Sequence, residues 1–156
     1  MAIPTDGIAT TTRLRESNAK AIVCFVQRHI GGWAMIRGVK IVSIPVKDQD
    51  AALKFYTEKL GFKVATDQEM GPGQQRWIEL MIPGADTRLA LFTPEGHESR
   101  VGGFQAMTFW TDDVFATAEQ LKKKGVTLAA EPKKEIWGTM AKFKDPDGNE
   151  FVFSGR

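Results

Sequence analysis

Hydrophobic and polar positions follow one pattern along residues 40–93, and that pattern recurs along residues 105–154. The run Lys40–Val46 is rich in β-branched residues and predicts a strand. Between residues 52 and 60 the apolar side chains recur at helical spacing, which predicts an amphipathic helix. Gly61 ends this helix, because glycine adopts a left-handed backbone conformation at little cost. Three more strands are predicted over residues 62–66, 76–82 and 87–93.

The second half of the chain repeats this order of strand, helix and three strands. Asp48 and Asp113 each precede a helix and lie 65 residues apart, whereas Gly61 and Gly125 each follow one and lie 64 residues apart. A unit of this size cannot bury its apolar face alone, so the repeat predicts two units that share one core or enclose one cleft. In the second copy the predicted elements are a strand at 105–111, a helix at about 114–124, and strands at 126–129, 139–144 and 150–154.

Composition indicates one globular domain outside the membrane. The chain has 156 residues, of which 42% are hydrophobic and 26% charged, with a net charge of only +2. A nearly neutral chain argues against nucleic acid as a partner, because phosphate recognition requires a concentrated basic surface. Cys24 is the single cysteine, which excludes an internal disulfide and favours a reducing compartment, so we expect a cytoplasmic protein.

The domain boundaries follow from the extent of the repeat. Residues 1–35 lie outside the repeat and are interpreted as an N-terminal extension beyond the core. Residues 36–156 are predicted to form a single domain, with modules at about 36–95 and 104–156.

Three short motifs carry a resemblance to a known family. They are Val46-Lys47-Asp48 with the helix that ends at Leu60-Gly61-Phe62, then Thr111-Asp112-Asp113 with Gly125-Val126, and the turn Asp145-Pro146-Asp147-Gly148 with Asn149-Glu150-Phe151. In this order and spacing they resemble the βαβββ modules of the vicinal oxygen chelate superfamily, which includes glyoxalase I, bleomycin-resistance proteins and extradiol dioxygenases. The resemblance covers about residues 36–154. It implies an α+β fold of two tandem modules whose mixed sheets curve around a shared cleft.

In metal-dependent members of that superfamily, four strand positions supply His, Gln or Glu ligands to one divalent ion. Counting from the shared motifs places these positions at Ile41, at or close to Leu91, at Ala106 and at Val152. None of these side chains has a lone pair to donate to a metal. A two-residue slip keeps the same sheet face but offers only Ser43, Thr108 and Glu150, a poor set for a transition metal. We therefore expect neither a metal site nor another cofactor.

Without the metal, the implied cleft becomes a pocket of apolar side chains, a few hydroxyls and an aromatic wall, which suits a small apolar or aromatic molecule. Alternation along the strands assigns nine residues to it: Ile41, Ser43, Leu91, Thr93, Ala106, Thr108, Trp110, Val152 and Ser154. Trp137 is added as a stacking wall, because the resemblance implies a loop over the cleft at that place. Glu150 is the candidate acid or base, since a carboxylate beside an apolar cleft has a raised pKa. Glu79 is expected to be solvated, which would place Trp77 on an outer or dimer-facing side.

Two functions from different classes remain open at this point. One is a metal-free protein that binds a small molecule in the cleft, as the resemblance to bleomycin-resistance proteins implies, with assembly as a homodimer. The alternative is a glyoxalase-like lyase or isomerase, or a dioxygenase-type enzyme, that uses a divalent metal or Glu150. Members of the superfamily pair their modules within one chain or between chains, and the sequence does not decide between these arrangements.

Overall fold

The computed structural model describes residues 36–155, so the N-terminal extension assigned to residues 1–35 lies outside the described residues. The first module consists of β1 (Ile41–Pro45), α1 (Gln49–Lys54), β2 (Lys63–Glu69), β3 (Arg76–Met81) and β4 (Arg88–Phe92). The second consists of β5 (Gly103–Thr111), α2 (Val114–Lys123), β6 (Thr127–Glu135), β7 (Gly138–Lys144) and β8 (Asn149–Gly155). A π-helical segment, Phe55–Lys59, extends α1, and a short 3₁₀ helix, Glu98–Arg100, lies between the modules. No helix within residues 36–155 is long and apolar enough to span a bilayer.

Each module forms one four-stranded mixed sheet, and the two sheets have the same topology. The strand order is β1-β4-β3-β2 in the first sheet, here sheet A, and β5-β8-β7-β6 in the second, here sheet B. The pairs β1–β4 and β5–β8 are parallel, and the other neighbours are antiparallel. The predicted α+β fold with two tandem βαβββ modules is therefore confirmed.

The repeated aspartates begin the two helices, as the pattern predicted. The Asp48 side chain accepts hydrogen bonds from the backbone N–H groups of Asp50 and Ala51, and Asp113 accepts one from Ala116. These bonds satisfy donors that have no partner within the helix, which explains why aspartate recurs at both positions. After the helices, Gly61 and Gly125 have φ angles of 79° and 75°, a backbone region that side chains with a Cβ rarely adopt.

The two modules share one hydrophobic core, which lies on the helix side of both sheets. Tyr56, in the π-helical segment, packs its ring edge-to-face on Phe151 of β8, with ring centroids 6.5 Å apart. Phe62 lies 6.0 Å from Phe109 of β5 by the same measure. Since Tyr56 and Phe62 belong to the first module and their partners to the second, aromatic contacts join the halves. The opposite side of each sheet, here called its open face, lies outside this core.

A buried polar network also joins the modules. The Tyr56 hydroxyl donates to Asp145 Oδ2 at 2.8 Å, and Asn149 Nδ2 donates to the same oxygen at 2.8 Å. Asn149 Nδ2 also donates to the backbone oxygen of Pro45 at 2.9 Å, so the network reaches the end of β1. Burial raises the pKa of the Asp145 carboxyl, while the hydrogen bonds from Asn149 and Tyr56 oppose that rise. Burial beside Asp145 raises the pKa of the Tyr56 hydroxyl, so this group remains a proton donor.

Candidate functional site

Strand register defines which residues lie on the open face of sheet A. Residues directly opposite each other on paired strands point to the same side of a sheet. Ser43 of β1 lies opposite Ala90 of β4, and Ala90 lies opposite Glu79 of β3. The neighbouring row, Ile44, Leu91 and Ile78, is fully buried against the helices. Ser43, Ala90 and Glu79 therefore lie on the open face, and Ile41 shares it because it is two residues from Ser43.

The placement of Leu91 in the cleft was wrong by one residue. Leu91 pairs with Ile44, is 0% exposed and belongs to the core, so it points away from Ile41. The residue directly opposite Ile41 is Arg88. Thr93 lies beyond the end of β4, where its backbone N–H donates to Gln75 Oε1 and its carbonyl oxygen accepts from Gln75 Nε2. On the open face, Arg88 and Ala90 therefore take the place expected for Leu91 and Thr93.

On sheet B the structure brings the predicted residues together. Thr108 lies opposite Val152, and Trp110 lies opposite Ser154, while Ala106 precedes Thr108 by two positions on the same face. The Trp110 side chain is 55% exposed. This face thus combines aliphatic groups, hydroxyls and a large aromatic surface, the mixture expected at a site for an apolar molecule.

Trp137 lies apart from that group, in the turn between β6 and β7. It is 72% exposed, and its neighbour Ile136 is 98% exposed. Two adjacent exposed apolar side chains at a turn are unusual, because large apolar groups are normally covered. The register of sheet B does not assign Trp137 to the open face, since the residue is outside both strands.

Sequence reasoning missed an ion pair on the open face of sheet A. The Glu79 carboxylate receives a hydrogen bond from Trp77 Nε1 at 2.9 Å and pairs with Arg88 Nη1 at 2.9 Å. Its side chain is only 13% exposed, so the expectation of a solvated Glu79 was wrong. The hydrogen bond from Trp77, followed by that from Arg88, lowers the pKa of Glu79 below its ordinary value. The spacing of Trp77 and Glu79, two positions apart on one strand, indicated that their side chains share a face of the sheet. The pairing of Glu79 with Arg88 could not be predicted, because it depends on the register between β3 and β4.

A second ion pair occupies the open face of sheet B. Lys142 Nζ lies 2.8 Å from Glu150 Oε1, and it also lies over the Phe104 ring, 5.2 Å from the centroid. The Glu150 side chain is 22% exposed. The candidate acid or base predicted from the sequence is therefore held in place by a neighbouring ammonium group.

The two ion pairs occupy equivalent positions in the repeat with their charges reversed. On sheet A, Arg88 of β4 is opposite Met81 and reaches diagonally to Glu79 of β3. On sheet B, Glu150 of β8 is opposite Lys144 and reaches diagonally to Lys142 of β7. The third strand carries the acid in one module and the base in the other. The two modules therefore contain pairs of the same diagonal geometry and opposite polarity.

The open faces do not offer the ligands that a superfamily metal ion requires. Ile41, Ala106 and Val152 occupy three of the four corresponding positions, and Arg88 and Ala90 are the open-face residues of β4 beside Ile41. Hydrocarbon side chains donate no lone pair, and a guanidinium cation repels a metal ion. Within residues 36–155, no group of three or more His, Cys, Asp or Glu side chains is arranged to hold one. The residues present thus do not fit such a metal ion.

Known proteins share both the sequence pattern and the fold of this chain. An uncharacterized Bacillus subtilis protein, YetH, is 38% identical over 118 residues, which cover 76% of this chain and 98% of that protein. A Sphaerobacter thermophilus member of the glyoxalase/bleomycin resistance protein/dioxygenase superfamily superimposes with a TM-score of 0.72 at 33% identity, covering 79% of this chain and all (100%) of the other. TnmS3, described as an antibiotic binding protein from a Streptomyces species, gives a TM-score of 0.67 at 35% identity, covering 78% and 98%.

The family assignment agrees with the repeat, the sheet topology and these likenesses. The family model described as the Glyoxalase/Bleomycin resistance protein/Dioxygenase superfamily matches residues 38–153, which include both modules. The resemblance drawn from the three sequence motifs is thereby confirmed. This chain belongs to the glyoxalase/bleomycin resistance protein/dioxygenase superfamily.

Proposed function

We propose that residues 36–156 act as one metal-free binding domain, in which the open faces hold a small apolar or aromatic molecule. The observation that carries this proposal is the chemistry of the open faces. Ile41, Ala106 and Val152 stand where related proteins place metal ligands, and Trp110 presents a large aromatic surface beside them. An apolar surface with a few oriented polar groups is typical of small-molecule sites.

The ion pairs would orient the ligand rather than react with it. Glu79 and Arg88 on one face, and Lys142 and Glu150 on the other, hold charged groups at fixed positions beside the apolar surface. Their unused hydrogen-bonding capacity can receive the polar substituents of an aromatic ligand. The likeness to TnmS3, which is described as an antibiotic binding protein, supports a binding role of this kind.

We further propose that the protein works as a homodimer in the cytoplasm, and that a second copy covers the open faces. Phe104 and Trp110 on sheet B are 60% and 55% exposed, a large apolar area to leave in water. The reversed polarity of the ion pairs on the two sheets would allow opposite charges to meet across such an interface. Sedimentation equilibrium of the full chain measures the mass directly, and a monomer at all concentrations would contradict this assembly.

The binding proposal is tested by calorimetric titration with a panel of aromatic antibiotics that includes bleomycin. We expect saturable binding by at least one compound, weakened by Trp110→Ala because the variant removes an aromatic contact surface. Phe115→Ala is the matched control, since Phe115 is an equally exposed aromatic, 56%, on α2 rather than on an open face. Equal losses in the two variants would show that Trp110 is not part of the site.

Metal analysis of the purified protein tests the other half of the proposal. We expect substoichiometric divalent metal after ordinary purification. One tightly bound divalent ion per chain would refute the metal-free assignment, whatever the outcome of the binding titrations.

An enzyme remains the alternative function, and Glu150 is the observation that favours it. Its carboxylate lies on the open face, where a bound molecule would meet it, and Lys142 keeps it in place. The alternative is a glyoxalase-like lyase or isomerase, or a dioxygenase-type enzyme, that uses Glu150 or a divalent ion. Isomerisation of the hemithioacetal of methylglyoxal and glutathione is the direct assay. Activity that is abolished by Glu150→Gln, with antibiotic binding unchanged, would favour the enzyme.

A further inference from the structure

A pocket lies on the helix side of sheet B. Its volume is about 230 Å³. The first module contributes Leu60, Phe62 and Ile82, and helix α2 contributes Leu121 from the opposite side. Phe109, Trp110, Phe143 and Phe153 of sheet B complete the apolar walls. An apolar cavity of about 150 Å³ already accommodates benzene, so this pocket is large enough for an aromatic ring with a short substituent.

The charged side chains that line the pocket are all positive. Lys59 and Lys124 line it, and among the described residues that line it none carries a carboxylate. Lys124 Nζ donates to the backbone oxygen of Lys59 at 2.9 Å, which fixes one ammonium group beside the apolar walls. This bond uses one of the three N–H donors of the ammonium group and leaves two for another acceptor.

The other polar side chains that line the pocket are neutral, so Lys59 and Lys124 are its charged groups. Thr111 and Thr117 share a hydrogen bond between their hydroxyl oxygens, which are 2.6 Å apart, and so partly satisfy each other. Gln120 of α2 adds an amide to the lining. An apolar chamber with two cations and no anion is complementary to a molecule with a hydrocarbon body and one negative end.

We propose that this pocket binds a small aromatic carboxylate, with its ring among Phe62, Phe109 and Phe153 and its carboxylate at Lys124 and Lys59. The ring buries part of the apolar lining of the pocket. The carboxylate completes the hydrogen bonding of Lys124 with a charge-assisted bond. Trp110, which the open-face proposal also uses, lines this pocket as well, but the carboxylate assignment rests on Lys59 and Lys124 and does not depend on the function proposed for the open faces.

Methyl-detected NMR of the full chain separates the two sites directly. The probe is phenylacetate, and the methyl groups of Leu60, Ile82 and Leu121 report on the pocket, whereas those of Ile41 and Val152 report on the open faces. We expect saturable shifts in the pocket methyl groups only. Shifts confined to Ile41 and Val152, or no saturable shift with millimolar phenylacetate, would overturn the proposal.

The charge of the ligand is tested with two compounds of similar shape. Phenylacetamide keeps the ring and removes the charge, and phenethylamine reverses it. We expect phenylacetate to bind about two- to fivefold more tightly than phenylacetamide, as suits a partly exposed ion pair, and phenethylamine to bind more weakly than either. Equal affinity for phenylacetate and phenylacetamide would overturn the assignment of the charged end.

Matched lysine variants locate that charged end. Lys124→Gln is expected to abolish the preference for phenylacetate over phenylacetamide, while Lys123→Gln, which makes the same charge change at the preceding exposed position outside the pocket, preserves it. Lys59→Gln is a second pocket variant if Lys124→Gln folds poorly. Identical behaviour of the pocket variants and Lys123→Gln would overturn the proposal, since long-range charge would then account for the preference.

Discussion

Removing the Tyr56 hydroxyl should show how much the buried hydrogen bonds among Tyr56, Asp145 and Asn149 contribute to the free energy of unfolding. Tyr56→Phe keeps the ring and its contacts with Phe62 and Phe151, which lie 6.1 and 6.5 Å away between centroids, and deletes only the 2.8 Å hydrogen bond to Asp145. A hydrogen bond to a charged group contributes about 1.5–3 kcal/mol, and Asn149 continues to donate to the same oxygen. We therefore expect the free energy of unfolding to fall by about 2 kcal/mol.

Urea unfolding followed by circular dichroism gives this free energy, with an unchanged slope showing that the unfolding transition is the same. For a domain of this size, about 2 kcal/mol corresponds to a melting temperature lower by roughly 8 °C. Thr57→Val is the control, because it deletes a hydroxyl from the adjacent residue that bonds only the helix backbone, at Leu53 and Lys54. If Tyr56→Phe lowers the free energy of unfolding no more than the control does, the stabilising role of the bond from Tyr56 to Asp145 is refuted.

The pH dependence of the same variant tests the role of Asp145. Burial raises the folded-state pKa of this carboxyl above its unfolded value, so ionisation costs stability as pH rises through that window. The Tyr56 hydroxyl opposes the rise by stabilising the carboxylate, and removing it raises the folded pKa further. The loss in Tyr56→Phe should consequently be larger at neutral pH than at about pH 4, where Asp145 is partly protonated. A loss that is constant across this range would show that the hydroxyl does not distinguish the two protonation states.

Three further outcomes follow from hydrogen bonds of the described residues. Trp77 donates a hydrogen bond to Glu79 and lowers its pKa, so this carboxylate stabilises the fold above its unfolded pKa and loses that contribution as pH falls through the lower folded pKa. The NMR resonance of the Trp77 indole N–H should therefore shift over that acidic pH range. Glu79→Gln should abolish this pH-dependent shift. Asp113→Ala should lower the free energy of unfolding by about 1 kcal/mol through loss of a helix cap, while Asp112→Ala, which alters the adjacent acid, should change it far less in the same urea titration. Asn149→Ala should cost several kcal/mol, because it leaves buried partners on both modules unsatisfied; a loss below about 1 kcal/mol in urea unfolding would contradict that accounting.

Local signals in the sequence were sufficient to predict most of the scaffold. An aspartate that caps a helix and a glycine that ends it act within a few residues, so Asp48, Gly61, Asp113 and Gly125 indicate the helices without knowledge of the tertiary structure. Their recurrence at nearly constant spacing then indicated two equivalent modules. The π-helical continuation Phe55–Lys59 was not predicted, because its hydrogen-bond pattern leaves no distinct mark on the apolar spacing.

The register between paired strands could not be predicted from the sequence. Strand β4 reads Arg-Leu-Ala-Leu-Phe from Arg88, and after the first residue every side chain is apolar, so alternation does not reveal which positions face the helices. A one-residue error in counting moves a residue to the other side of the sheet, as happened with Leu91. The same limit hid the pairing of Glu79 with Arg88, since a diagonal contact between strands exists only in one register.

The two ion pairs strengthen the case for a binding surface over a remnant of a lost catalytic site. Half-buried charges cost desolvation energy that their mutual attraction only partly offsets, and apolar residues in their place would cost less. On both sheets such a pair is nevertheless present beside apolar positions: Glu79 with Arg88 near Ile41, and Lys142 with Glu150 near Val152. A surface that only had to be covered by another apolar surface would not need them. A surface that selects and orients an aromatic molecule with polar substituents needs such charged pairs, because specificity in apolar sites depends on a few fixed polar groups.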